Sequence, residues 1–158
     1  MKTAGIGFYW NDLSVGDKFK TLNRTITEPD IVNFIGVTGM VETLFTDLSF
    51  SEEHGVMQGR VVPAACTYTI IEGLLCQATM QTTGLALLEI EKKVLKPVFA
   101  GDTVHAEVEV TAVRPTSKGN RGIVTTTNDV LNQHGEKVIT YRAVRMMAGR
   151  PDTSDADS

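Results

Sequence analysis

The stretch Ala64–Gln81, AACTYTIIEGLLCQATMQ, decides the fold. Eighteen residues of helix span about 27 Å, and Glu72 is the one charge among them. No broad polar stripe is left for water, so the helix is expected to be buried nearly all round. Glu72, Gly73, the interspersed threonines and glutamines and the lack of basic flanks argue against a membrane span. From Leu85 to Met147 the pattern changes to period-two alternation broken by turn signals, the mark of consecutive antiparallel strands. A five-stranded antiparallel sheet wrapping one long central helix satisfies both patterns, an α+β architecture.

Working outward, the 158 residues suit one domain over 1–150, with 42% hydrophobic and 22% charged residues as in a globular protein. Most of the net charge of −4 comes from Asp152, Asp155 and Asp157 in a tail, 151–158, whose composition predicts disorder. A surface otherwise near neutrality makes nucleic acid a poor partner. The start, MKTAGIGFYW, has no continuous apolar core of a secretory leader, and a cytoplasmic location is expected. Cys66 and Cys76 lie about 15 Å apart along the helix, too far to bridge, and are expected to be buried thiols. His54, His105 and His134 are scattered, so neither they nor the cysteines have metal-ligand spacing, and no metal is expected.

Lys18–Thr25 reads as a first strand. Thr27 is a good N-cap, with Glu28, Pro29 and Asp30 suited to a first turn, predicting a helix from Glu28 to about Gly36. Met40–Arg60 reads as a long irregular excursion with a helical turn near Ser51–His54, and such excursions commonly carry function. Four strands follow, roughly 85–98, 103–113, 122–131 and 137–147. In the second, Val104, Ala106, Val108 and Val110 alternate with His105, Glu107 and Glu109, giving one buried and one wet face. Asn132–Gly135 is a hairpin turn, with Gly135 supplying a positive φ.

Three stretches together resemble a known family. Arg24-Thr25-Ile26-Thr27-Glu28-Pro29-Asp30-Ile31, followed by Phe34 and Thr38-Gly39, is similar to the opening of MaoC-like hydratases and dehydratases, a hot-dog-fold group that includes (R)-specific enoyl-CoA hydratases. Gly59-Arg60-Val61-Val62-Pro63-Ala64 resembles the lead-in to that family's central helix, and Lys96-Pro97-Val98-Phe99-Ala100-Gly101-Asp102-Thr103 its Pro-Val-x-x-Gly-Asp turn. The resemblance covers Tyr9–Gly149. It implies an acyl-CoA or acyl carrier protein thioester as substrate and no cofactor. It also implies a homodimer or dimer of dimers, or a heterodimer with a catalytically complete homologue.

The family's hydratase motif is Gly-Asp-x-Asn-Pro-Leu-His. The aligned run here is Gly39-Met40-Val41-Glu42-Thr43-Leu44-Phe45-Thr46-Asp47, which puts Met40 and Phe45 at the catalytic Asp and His positions. Those two groups activate the water that adds to the enoyl bond, and neither a thioether nor a phenyl ring can move a proton. Glu42 is the new ionisable candidate, since burial beside Met40, Leu44 and Phe45 would favour its protonated form; the competing expectation is a solvated loop carboxylate. Asp47 matches a family position with a loop-holding role, and His54 is a weaker acid–base candidate. The N–H groups of Ala64 and Ala65 at the helix N-terminus suit a thioester carbonyl. Arg60, Lys118 and Arg121 are the candidates for carrier phosphates, the last two in the basic turn Arg114–Arg121. Two functions follow: a hydratase or dehydratase that has replaced its acid–base pair, or an acyl-thioester-binding subunit paired with an active homologue. A thioesterase fits the framework less well.

Overall fold

The alternating valines of 103–113 do form the spine of a sheet. The computed structural model describes Met1 and residues 3–151; the expected disorder of the tail concerns residues that lie outside these, apart from Pro151. Six strands assemble: β1 (Lys18–Lys20), β2 (Arg24–Thr25), β3 (Gly84–Val94), β4 (Thr103–Pro115), β5 (Arg121–Leu131) and β6 (Lys137–Ala148). They are ordered β1-β4-β5-β6-β3, with β2 also on β4, and every pairing is antiparallel. The strand expected over 18–25 is thus two short ones, which makes six strands rather than five. Gly135, at φ 73°, turns β5 into β6 as its position predicted.

Helix α1 (Glu28–Thr38) starts where its cap chemistry lies. The Asp30 carboxylate accepts from the Thr27 N–H and hydroxyl, both at 2.8 Å, and Gly39 ends the helix at φ 70°. Burial raises the Asp30 pKa, but the Thr27 donors and Arg24 outweigh it and hold the carboxyl below its usual value. The stretch expected to be irregular contains α2 (Thr43–Thr46) and α3 (Leu48–His54). Asp47 separates them by accepting from the Ser49 and Phe50 N–H groups.

The central helix α4 (Ala64–Leu75) continues as a wider π-helical turn over Cys76–Met80. Cys66, Ile71 and Leu75 are buried with Ala106, Val108, Val130, Tyr141 and Ala143 in one core, and Thr67 is buried beside them on the helix. The expectation of burial all round does not hold for one chain, because one sheet covers one side. Thr69, Cys76, Gln77 and Ala78 are exposed, so only Cys66 is a buried thiol, its pKa pushed up to about 11 chiefly by burial. His105, expected to be solvated on its strand, is half-buried.

Two antiparallel contacts set the start of α4 against the sheet. Val62 N–H donates to Val98 O at 2.8 Å and Ala100 N–H to Arg60 O at 2.9 Å, around a bridge between Val61 and Phe99. Beyond it, Asp102 accepts from Phe99 N–H at 2.8 Å, and Gly101, at φ 93°, makes the reversal possible. Among the described residues no helix is long and apolar enough to cross a membrane.

Candidate active site at the start of the central helix

Pro63 is the N-cap of α4, and its carbonyl accepts from the N–H groups of Cys66 (2.8 Å) and Thr67 (3.2 Å). The earlier N–H groups, of Ala64 and Ala65, have no acceptor in the helix itself, and the helix dipole leaves partial positive charge there. Against this end lies a groove of about 360 Å³. Leu44 and Phe45 of α2, Met57, Val61 and Val62 line it, with Ala64 and Thr67 of α4, segment 94–98 and Ile139 of β6. Apolar side chains dominate. The two polar ones are Lys96, whose ammonium pairs with Glu136 at the surface, and Thr67, whose residue is 0% exposed and whose hydroxyl has no protein partner.

The structure distributes the sequence candidates unevenly. Phe45 is 8% exposed and part of the core, and Met40 packs against the same cluster. Glu42, read either as a group sharing their cavity or as a solvated loop carboxylate, is exposed and caps α2 through its backbone, its carbonyl accepting from Phe45 and Thr46. The turn of α2 carries Leu44 and Phe45 inward and leaves Glu42 outside. Asp47 is the exposed N-cap of α3, its pKa lowered by the hydrogen bond from the Ser49 hydroxyl at 2.6 Å and by the Phe50 N–H. His54 ends α3, its ring stacked on Phe50 with centroids 4.9 Å apart, and is not part of the groove lining.

Arg60, a candidate for carrier phosphates, acts as a strut in this chain. Its guanidinium bonds Glu28 of α1 at 2.8–3.0 Å and the carbonyl of Phe45, which ties α2 to α1 beside the groove. Lys118 and Arg121 flank the turn beyond Pro115. That turn is at the opposite end of β4 from Thr103, about 40 Å of strand away from the helix start within one chain. Thr67, Met57 and Lys96 are groove residues that sequence reasoning passed over. The position of Thr67 three residues after Ala64, on the same helix face, was the available signal for the first.

Halfway along α4 lies a different polar arrangement. The Glu72 carboxylate accepts from Tyr141 Oη at 2.6 Å and from Arg145 Nη2 at 2.7 and 2.8 Å. Burial, with the Glu72 carboxylate beside it, pushes the Tyr141 phenol up, so it remains a neutral donor. Tyr68 meets the Tyr141 ring edge-on at 5.2 Å, and Lys92 Nζ lies 4.4 Å from the Tyr68 ring centre.

This helix-on-sheet architecture is the hot-dog fold. A Mycobacterium tuberculosis protein described as a double hot-dog superposes with a TM-score of 0.84 at 18% identity, over 92% of this chain and 46% of that one. A MaoC-like dehydratase from Rhodospirillum rubrum gives 0.79 at 28% identity, covering 92% of this chain and 100% of that chain. An (R)-hydratase from A. caviae gives 0.67 at 26%, over 88% of this chain and 98% of the other. Residues 11–133 match the family described as MaoC like domain, and the chain belongs to that family. A mesaconyl-CoA hydratase from Cereibacter sphaeroides is 45% identical over 51 residues, 32% of this chain and 15% of that enzyme. The match thus spans a small part of that relative's length.

Proposed function

We propose that this chain binds an acyl thioester in the groove at the start of α4, within a hydratase or dehydratase assembly whose proton-transferring groups come from a second chain. The observation that carries this reading is the groove's composition. The donors suited to a thioester carbonyl remain at the first turn of α4, while no carboxylate or imidazole among the described residues lines the cavity. Hydration needs a base and an acid within hydrogen-bond reach of one water, and apolar walls with one hydroxyl do not provide the pair.

Pairing has its own support. Among the described residues strand β3 has a neighbour on one side only, β6, and it exposes Leu85, Leu87, Leu88 and Val94 at 49–53%. An unpaired apolar edge beside the half-covered α4 suits a second hot-dog unit, either another copy or a homologue. The similar double hot-dog protein carries two such units in one chain.

The test is hydration of crotonyl-CoA by the purified chain, alone and mixed with candidate partner chains, with particle mass followed by light scattering. The expected result is acyl-CoA binding and a dimeric mass, with hydration only in the presence of the partner. Turnover by the isolated chain that falls about a hundredfold or more in Glu42→Gln would overturn the proposal and restore Glu42 as an acid–base group.

A further inference from the structure

Two cavities meet at α2. The groove at the start of α4, about 360 Å³, has Leu44 and Phe45 in its lining, and a second cleft of about 340 Å³ takes in Phe45 and Thr46. Val32 and Ile35 of α1 and Leu48 of α3 give the second cleft an apolar lining, to which the Glu28–Arg60 pair also belongs. Among the described residues Phe45 is the one common to both linings, so at Phe45 the wall between them is one residue thick. The wall itself is slight. Helix α2 has four residues, a length at which a helix does not hold itself together in water. Two things fix it: Leu44 and Phe45 pack on the core, and Arg60 ties its backbone. Arg60 Nη1 donates to the carbonyl of Phe45, near the end of α2, where helix carbonyls lack partners and positive charge is favoured. Arg60 Nε donates to both carboxylate oxygens of Glu28 on α1, at 2.9 and 3.0 Å, and the Arg60 carbonyl accepts from Ala100 N–H at 2.9 Å.

We infer that Phe45 sets the length of acyl chain the groove takes by closing it off from the second cleft, and that Arg60 is the positioning residue that holds this wall shut. The inference rests on the acyl-thioester reading above. The groove is reachable from solvent: Val94 and Leu95 in its lining are 53% and 49% exposed, and Phe45 keeps 8% of its surface accessible. An acyl chain entering there runs along apolar walls, where each buried methylene strengthens binding about fourfold. That gain stops where the chain meets Phe45. Beyond lies further apolar surface at Val32, Ile35 and Leu48, which a chain in the groove reaches only when the wall is thinned or loosened.

The experiment titrates butanoyl-, hexanoyl-, octanoyl- and decanoyl-CoA calorimetrically into the full chain as purified. In the native protein affinity should rise with chain length and then level off. Phe45→Leu and Phe45→Ala should carry the rise further, so that the ratio of decanoyl to butanoyl affinity grows about tenfold or more over the native ratio. Phe45→Leu removes less of the core and decides the matter if Phe45→Ala does not fold. Arg60→Met should move the ratio in the same direction, and Arg60→Lys, which keeps the charge, should recover part of the native preference. A merely structural role would weaken every ligand by one factor and leave the ratio as it was. A native affinity that keeps rising to decanoyl-CoA, or an unchanged ratio in the folded Phe45 variants, overturns the partition while leaving acyl-thioester binding in place. An unchanged ratio in Arg60→Met alone overturns the part given to Arg60. A native protein that binds none of the series overturns both readings.

Discussion

The two halves of α4 treat polar groups in opposite ways. Its middle carries Glu72, 15% exposed, gripped by Arg145 and Tyr141. Its N-terminal end faces a groove lined by Leu44, Phe45 and Met57, with the hydroxyl of Thr67 unpartnered. A charge persists inside this fold where donors from β6 satisfy it. Among the described residues no carboxylate or imidazole lines the groove, and Glu42 is exposed to water.

The largest effect that would sharpen this contrast is the return of the missing pair. Met40→Asp combined with Phe45→His should raise crotonyl-CoA hydration at least about a hundredfold over the native chain, the scale of general acid–base help. Either change alone should do little, because the two groups act on one water. A folded double variant that binds acyl-CoA and stays inert would show that Met40 and Phe45 do not face the bound thioester.

Breaking the other half should act on stability. Arg145→Met leaves the Glu72 carboxylate buried without its guanidinium and should cost about 3–5 kcal/mol, read from urea unfolding. Adding Glu72→Gln should recover part of this, since the uncompensated charge is gone. A loss under about 1 kcal/mol would mean that Glu72 is satisfied without Arg145.

The smallest effect lies outside both regions, at the capped start of α1. Asp30→Asn should destabilise the chain by about 1 kcal/mol, as for other caps. Because the folded-state pKa of Asp30 is depressed, its contribution is present above its unfolded value near 4 and is lost as pH falls through the lower folded one. Thermal melts from pH 6 down to 3 should bring native and Asp30→Asn proteins together. Parallel curves over that range would exclude Asp30 as a source of the acid sensitivity.

Much of this was legible from residues close together in the chain. The Thr27–Asp30 cap, the valine alternation of β4 and the glycine of the β5–β6 hairpin each depend on neighbours within a few positions, and each fell where its chemistry put it. Tertiary structure decided the rest, for the same reason in each case: the partners are remote in sequence. Whether Glu42 enters the cavity depends on the rotation of α2, which Arg60 ties to Glu28 some thirty residues earlier. Which turn of α4 becomes a site depends on Val61 and Val62 pairing with Val98 and Phe99, contacts that bring the 94–98 segment to Ala64 and Thr67 and carry the basic turn at Lys118 to the far end. The sequence by itself determined a helix on an antiparallel sheet and put Met40 and Phe45 in the run that resembles the family motif. That the hydroxyl of Thr67 stands unpaired in the groove was decided only by the folded chain, since Pro63 O has its donors already.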